Sequence, residues 1–69
     1  MTRNKILKAQ QMLRKLGSAV QVTGVWSIGM KSAIRSFQKK YGLEITGELD
    51  KKTWKKLNKE AGTRRFWFF

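Results

Sequence analysis

The sequence of 69 residues contains no cysteine and no histidine, and only four of its side chains are acidic. Without cysteine the chain can form neither a disulfide nor a thiolate metal site. Without histidine the common zinc sites and the Ser–His and Cys–His nucleophile pairs are excluded as well. The sequence therefore predicts no cofactor and no metal site.

The four acidic residues are Glu44, Glu48, Asp50 and Glu60. A glycosidase needs two carboxylates that face each other across a cleft. A single domain of this size buries only about 60% of its unfolded surface, which leaves little material for a cleft. Three of the four acids also lie within residues 44–50, where helix capping and turn formation account for them. We therefore expect a protein that is not an enzyme.

Positive charge is the largest signal in the composition. Sixteen lysines and arginines against four acids give a formal net charge of +12. Such a charge predicts attraction to nucleic acid, to an anionic membrane surface or to the anionic polymers of a bacterial envelope, without choosing among them. No apolar run approaches the roughly 20 residues of a membrane span, and the N-terminal segment lacks a signal-peptide pattern.

Apolar residues recur at intervals of three and four in three segments, which predicts three helices. These residues are Ile6, Ala9, Leu13 and Leu16 in residues 2–16; Met30, Ala33, Ile34, Phe37 and Tyr41 in residues 27–41; and Trp54, Leu57 and Ala61 in residues 50–61. Ser27 and Asp50 are the expected N-caps of the second and third helices. Gly17, Gly42 and Gly62 are expected to end the three helices.

The connections between the predicted helices repeat a short motif. Val22-Thr23-Gly24 and Ile45-Thr46-Gly47 lie 23 residues apart, and each is followed by a capping residue and a helix. Two units of this size cannot each bury a core. The sequence therefore predicts an all-α fold, a compact three-helix bundle with two pseudo-repeated helix–Thr-Gly turn–helix units. Its expected extent is residues 1–62, followed by a basic and aromatic tail of residues 63–69.

Three stretches of the chain follow the pattern of a known family. Residues 10–17 (QQMLRKLG) match Gln-x-x-Leu-x-x-Leu-Gly, and residues 42–57 (GLEITGELDKKTWKKL) match Gly-Leu-x-x-Thr-Gly-x-x-Asp-x-x-Thr-Trp-x-x-Leu at every defined position. The middle stretch, residues 23–38, is compared with the pattern Asp-Gly-x-Phe-Gly-x-x-Thr-x-x-Ala-Val-x-x-Phe-Gln. It keeps Gly24, Ala33 and Phe37-Gln38 and has Trp26 for the Phe and Ile34 for the Val, whereas Thr23 replaces the Asp, Ser27 the second Gly and Met30 the Thr. On these residues the chain resembles the three-helix peptidoglycan-binding domain that accompanies wall-cutting enzymes.

The resemblance implies a non-catalytic module that binds the bacterial cell wall and anchors or targets a wall-active enzyme or a phage particle. Its expected partners are peptidoglycan, together with a wall-hydrolase domain or a virion. The expected location is the bacterial cell envelope or a phage virion. Nucleic-acid binding is the first alternative, because the high charge and the helices fit it, although the connection between the second and third helices is too long for a helix-turn-helix.

The predicted ligand-binding residues are Thr23, Gly24, Trp26, Arg35, Gln38, Thr46 and Gly47. Several of them have a structural interpretation that we favour at this point. The amide of Gln38, like that of Gln10 on the first helix, is expected to satisfy backbone groups of a neighbouring turn. The two Thr-Gly pairs are expected to form turns, and Trp26 and Trp54 are expected to pack in the core.

Two further surfaces leave alternatives open. The predicted third helix carries Lys51, Lys52, Lys55, Lys56 and Lys59 opposite its apolar side, either as a solvated face or as a contact for an anionic polymer. The tail carries Arg64, Arg65, Phe66, Trp67, Phe68 and Phe69. These tail residues are expected either to enlarge the core or to insert into a membrane interface or a partner. A membrane-interface protein acting through this tail is the second alternative function.

Overall fold

A computed structural model describes residues 2–62, which form three helices and, within that range, no strand. Helix α1 spans Arg3–Lys15, α2 spans Ile28–Lys40 and α3 spans Lys51–Ala61. The predicted all-α three-helix bundle is confirmed. Within residues 2–62 no helix is both long enough and apolar enough to cross a membrane. The predictions made for the tail lie outside the described residues.

The predicted N-caps are confirmed for α2 and α3. The Ser27 hydroxyl accepts a hydrogen bond from the backbone N–H of Met30 at 3.2 Å, and the Asp50 carboxylate accepts one from the backbone N–H of Thr53 at 2.9 Å. Each cap satisfies one of the backbone donors that the first turn of a helix leaves without an intrahelical partner. Both helices therefore begin where the sequence predicts.

The first two helices end with the same hydrogen bond. The backbone N–H of Ser18 donates to the carbonyl of Leu13 at 2.9 Å, and that of Leu43 donates to the carbonyl of Gln38 at 2.8 Å. Each donor follows a glycine, so both ends have the arrangement of a Schellman motif. The repeat seen in the sequence thus extends to the hydrogen bonds at the helix ends.

The core lies between the three helices and receives one residue from the second connection. Its buried apolar residues are Ile6, Ala9, Met12 and Leu13 on α1, Met30, Ile34 and Phe37 on α2, Leu49, and Leu57 and Ala61 on α3. Trp26 and Trp54, both expected in the core, pack against it but are only half-buried. The exposed face of the Trp54 ring is covered by Lys5, whose Nζ lies 5.0 Å from the ring centroid.

Candidate functional site

A buried glutamine of α1 holds the first Thr-Gly turn. The side-chain oxygen of Gln10 accepts hydrogen bonds from the backbone N–H groups of Thr23 at 2.9 Å and Gly24 at 2.8 Å. Its amide nitrogen donates to the Thr23 hydroxyl at 3.3 Å and to the carbonyl of Val25 at 3.2 Å. Because Gln10 is only 1% exposed, these bonds form away from water and determine where the turn lies.

Gln38 of α2 holds the second turn in the same way. Its side-chain oxygen accepts from the backbone N–H groups of Thr46 and Gly47, both at 3.0 Å. Its nitrogen donates to the hydroxyls of Thr46 at 3.0 Å and Thr53 at 2.9 Å, and to the carbonyl of Glu48 at 3.0 Å. An amide nitrogen has two protons, so three acceptors use its whole donor capacity. The structural interpretation of Gln38 therefore accounts for every polar atom of its side chain.

The two turns differ by one hydrogen-bond partner. Thr53 lies six residues after Gly47, and the matching position six residues after Gly24 is Met30. Met30 is fully buried and has no hydroxyl, so Gln10 makes four bonds where Gln38 makes five. Met30 thus supplies apolar packing at the position where Thr53 supplies a polar contact.

Each turn glycine lies directly beneath a pair of side chains from a helix. Gly24 has φ +77°, and a Cβ placed on it would lie 2.9 Å from Cγ of Arg3 and 3.2 Å from Cγ of Leu7. Gly47 has φ +73°, and a Cβ there would lie 3.0 Å from Cε of Lys31 and 3.2 Å from Cγ of Arg35. Glycine is required at both positions, for its left-handed backbone and for the close approach of these side chains.

A groove of about 510 Å³ opens beside the second turn. It is lined by Ile6 of α1, Trp26 at the end of the first connection, Lys31 of α2, and Gly47, Glu48, Leu49 and Asp50 of the second connection. The groove therefore combines the half-buried indole of Trp26, the cation of Lys31 and the carboxylates of Glu48 and Asp50. Two of the four acidic residues of a strongly basic chain line this one depression.

The Asp50 carboxylate is already engaged in the fold. Its pKa lies below its ordinary value, chiefly because the backbone N–H of Thr53 donates to it, and secondarily because the Thr53 hydroxyl does so. Burial opposes this shift, while the Thr46 hydroxyl and the charge of Lys52 reinforce it. Asp50 is therefore a negatively charged cap at the groove edge, and exposed Glu48 is the more accessible carboxylate.

A second groove of about 620 Å³ runs along the first connection. Its lining comprises Ser18, Ala19, Val20, Gln21, Thr23, Val25 and Ser27 of the connection and Gly29, Met30 and Ala33 of α2. Val25 is 61% exposed at its edge. This groove carries no charged side chain, which distinguishes it from the groove beside Gly47.

The structure brings together some of the predicted ligand-binding residues and separates others. Trp26 and Gly47 line the same groove, and Arg35 packs over Gly47. Thr23 lines the second groove. Gly24 and Gln38 are buried, and Thr46 is partly buried and bonded to Gln38.

Sequence reasoning missed five lining residues of the charged groove, which are Ile6, Lys31, Glu48, Leu49 and Asp50. One signal for Lys31 was present in the chain. Lys31 precedes Gln38 by seven residues, as Arg3 precedes Gln10, and both cover the glycine held by that glutamine. Among the described residues, no three acidic side chains converge in a way that would hold a metal ion.

A family model matches residues 2–57 of the chain. The family is described as "Putative peptidoglycan binding domain". The match includes all of α1 and α2, both Thr-Gly turns and the first seven residues of α3. Comparisons with curated proteins and with solved structures give no significant match.

Proposed function

The chain belongs to the peptidoglycan-binding domain family, and from this premise we propose that it binds peptidoglycan in the groove between Trp26 and the Gly47 turn. The observation that carries the proposal is the lining of this groove. The groove combines an aromatic ring, a cation and carboxylates in one depression.

These groups suit the chemistry of peptidoglycan, a polymer of acetylated sugars that bear short peptides. An indole offers a flat apolar face to a sugar ring or a methyl group and an N–H donor at its edge. Lys31 can pair with a peptide carboxylate, and Glu48 can accept hydrogen bonds from hydroxyl, amide or ammonium groups. A few well-placed polar groups beside an apolar surface are typical of small-ligand sites.

The buried glutamines support binding indirectly. Gln38 fixes the backbone of Thr46 and Gly47 from inside the fold, so the groove wall is formed before the ligand arrives. A preformed wall reduces the conformational entropy that binding would otherwise cost. We propose that Gln38 positions the turn, and that Trp26, Lys31 and Glu48 contact the ligand.

The helix connections argue against the nucleic-acid alternative in its commonest form. A helix-turn-helix joins its two helices by a turn of about three or four residues. Here residues 16–27 separate α1 from α2, and residues 41–50 separate α2 from α3. The second connection instead forms one side of the groove, which favours a module that binds the bacterial cell wall.

We propose further that binding, not catalysis, is the contribution of this chain. Such a module raises the local concentration of whatever is attached to it near the wall, because the linked partner then meets its substrate at a high effective concentration. A wall-active enzyme or a phage particle is a suitable partner.

The test is co-sedimentation with purified sacculi that have been stripped of anionic polymers, in a salt series. Binding through the groove should persist at high salt, because a partly enclosed site is screened less than an exposed surface. Failure to sediment at any salt concentration would exclude the proposed function and leave the fold unaffected.

Two glutamate variants supply a matched comparison. Glu48→Gln removes a negative charge from the groove. Glu44→Gln removes a negative charge from the same connection, at an exposed residue that does not line the groove. Both variants raise the net charge equally. We expect Glu48→Gln to weaken binding to stripped sacculi about tenfold and Glu44→Gln to leave it unchanged; equal effects would contradict the assignment of the groove.

A further inference from the structure

The outer surface of α3 is a continuous basic arc. With 100° between successive residues, Lys51, Lys55, Lys59, Lys52 and Lys56 fall, in that order, within an arc of about 140°. The opposite side carries the buried residues Thr53, Leu57 and Ala61. Lys51, Lys52, Lys55 and Lys59 are all exposed, and the one carboxylate of the helix, Glu60, lies 3.1 Å from Lys56.

Tyr41 extends this arc onto the end of α2. Its ring centroid lies 5.4 Å from Nζ of Lys56 and 5.6 Å from Nζ of Lys40. Lysines from two helices thus approach the same half-buried ring, which holds their stems near each other through the attraction of a cation to an aromatic face. We call Lys40, Lys52, Lys55, Lys56 and Lys59 the lysine face.

Most of the lysine face lies away from the groove beside Gly47, and only Lys52 is close enough to Asp50 for its charge to lower the pKa of that carboxyl. Lys59 follows Asp50 by nine residues, and Lys40 follows Lys31 by nine, so each pair is about 13 Å apart along its helix. The two surfaces also differ in chemistry. The groove has charges of both signs, whereas the lysine face presents cations alone except where Glu60 pairs with Lys56.

We propose that the lysine face binds a phosphate-bearing polymer of the bacterial envelope, of the polyol-phosphate type that is attached to peptidoglycan. The choice of polymer rests on the proposed binding to peptidoglycan, because a polyol-phosphate polymer lies beside peptidoglycan in the same cell wall. Lysine ammonium groups are compact cations on flexible stems, which suits a flexible chain of phosphates without fixed geometry. Binding at the face adds to binding in the groove because one polymer carries both ligands.

The composition of the face favours this polymer over nucleic acid. α3 contains five lysines and no arginine, whereas bidentate arginine is the commonest reader of guanine edges. Single-stranded nucleic acid is bound by aromatic rings on which bases stack. The aromatic ring at the face, that of Tyr41, is half-buried and covered by Lys40 and Lys56.

The experiment compares sacculi that retain their polyol-phosphate chains with sacculi from which the chains have been removed. Co-sedimentation of the full chain is measured across a salt series with both preparations. The test variant is Lys55→Gln with Lys59→Gln. The matched control is Arg14→Gln with Lys15→Gln, which removes the same charge from exposed residues in the last turn of α1.

We expect the polymer-bearing sacculi to bind the natural chain at least tenfold more tightly at low salt. Each phosphate contact contributes about 0.7 to the slope of log K against log salt for a flexible strand. The test variant removes two such contacts, so it should lower the magnitude of that slope by about 1.4 and weaken binding to polymer-bearing sacculi severalfold. Its binding to stripped sacculi should not change, and the control variant should resemble the natural chain.

Three results would overturn the proposal. Equal losses in the two variants would show that net charge, and not this face, attracts the polymer. Equal binding of the natural chain to both sacculus preparations would exclude the polymer, while retention at high salt would still support the groove. Tighter binding to single-stranded DNA than to soluble polyol-phosphate chains, at equal phosphate concentration, would identify the face as a nucleic-acid surface. If the natural chain binds polymer-bearing sacculi but not stripped sacculi, the result would support binding by the lysine face and exclude binding in the groove.

Discussion

The amide oxygen of Gln38 accepts a hydrogen bond from the backbone N–H of Gly47 at 3.0 Å. One buried side chain of α2 thereby holds the turn that forms a wall of the charged groove. Because the same side chain also contacts Thr53 in α3, it links two helices and a connection. We therefore expect a change at this residue to affect both stability and the proposed ligand binding.

Replacing Gln38 with alanine should destabilise the fold by about 2–4 kcal/mol. The change leaves the N–H groups of Thr46 and Gly47 without their partner and creates a cavity. Gln10→Ala should lower the free energy of unfolding by less, since the Gln10 side chain makes four hydrogen bonds and that of Gln38 makes five. Urea denaturation of both variants measures the two costs. A loss below 1 kcal/mol for Gln38→Ala would contradict this account.

Substitution of Gly47 by alanine should affect both stability and binding, and Gly42→Ala provides its control. The two glycines have similar φ angles, +73° and +71°, so alanine should cost each about 1–2 kcal/mol in backbone strain. Only at Gly47 would the new Cβ also press against Lys31 and Arg35, whereas no atom lies within 4 Å at Gly42. We expect Gly47→Ala alone to weaken binding to stripped sacculi. Equal binding by the two variants would show that the turn is not part of the site.

Trp26 and Trp54 form a second matched pair, because both rings are half-buried and pack against the core. Trp26 lines the groove, while Trp54 lies beneath Lys5. Either alanine variant should lower the free energy of unfolding by about 2–4 kcal/mol. Below the melting temperature of both variants, Trp26→Ala should weaken sacculus binding about tenfold or more and Trp54→Ala should not. Loss of binding in both, with folding intact, would exclude a specific role for Trp26.

Acid should weaken the cap of α3. The pKa of Asp50 is lowered in the folded chain, mainly by the backbone N–H of Thr53, so its ionised form stabilises the fold. This contribution is complete above the ordinary carboxyl pKa of about 4 and is lost as the pH falls through the lower folded value. Asn is a comparable N-cap without a charge.

The stability difference between the natural chain and Asp50→Asn should therefore shrink as the pH is lowered from about 5 to about 2. Urea unfolding at several pH values measures it, and an NMR titration of the carboxyl reports its pKa directly. A difference that stays constant over this range would contradict the proposed role of the ionised cap.

Much of the local structure was predictable because the interactions involved are short in sequence. Ser27 and Asp50 each accept a hydrogen bond from the backbone N–H of the third residue after them. The residue type at the cap and the few residues that follow it are therefore enough to predict where the helix begins. The apolar spacing predicted all three helices to within one residue at each end. The repeated Thr-Gly pairs indicated two equivalent turns before any contact was known.

The partners of the turns were less predictable. The sequence offered a structural interpretation for Gln10 and Gln38, yet their acceptors lie 13–15 and 8–15 residues away. Leu49 is buried, whereas Ile45 in the same connection is exposed, and no helical spacing in the sequence distinguishes the two. Thr53 was expected only as a helical residue after a cap, and its bond to Gln38 depends on how α2 and α3 meet.

The sequence by itself determined the helices, their caps, the turn glycines and the family, because each depends on residue type at fixed local spacing. Only the tertiary structure decided the groove. Ile6, Trp26, Lys31 and Gly47 come from four separate segments, and their separations depend on how the helices pack. Packing arises from the shapes of many buried side chains together. For the same reason Tyr41 joins the lysines of two helices, a relationship that neither helix specifies alone.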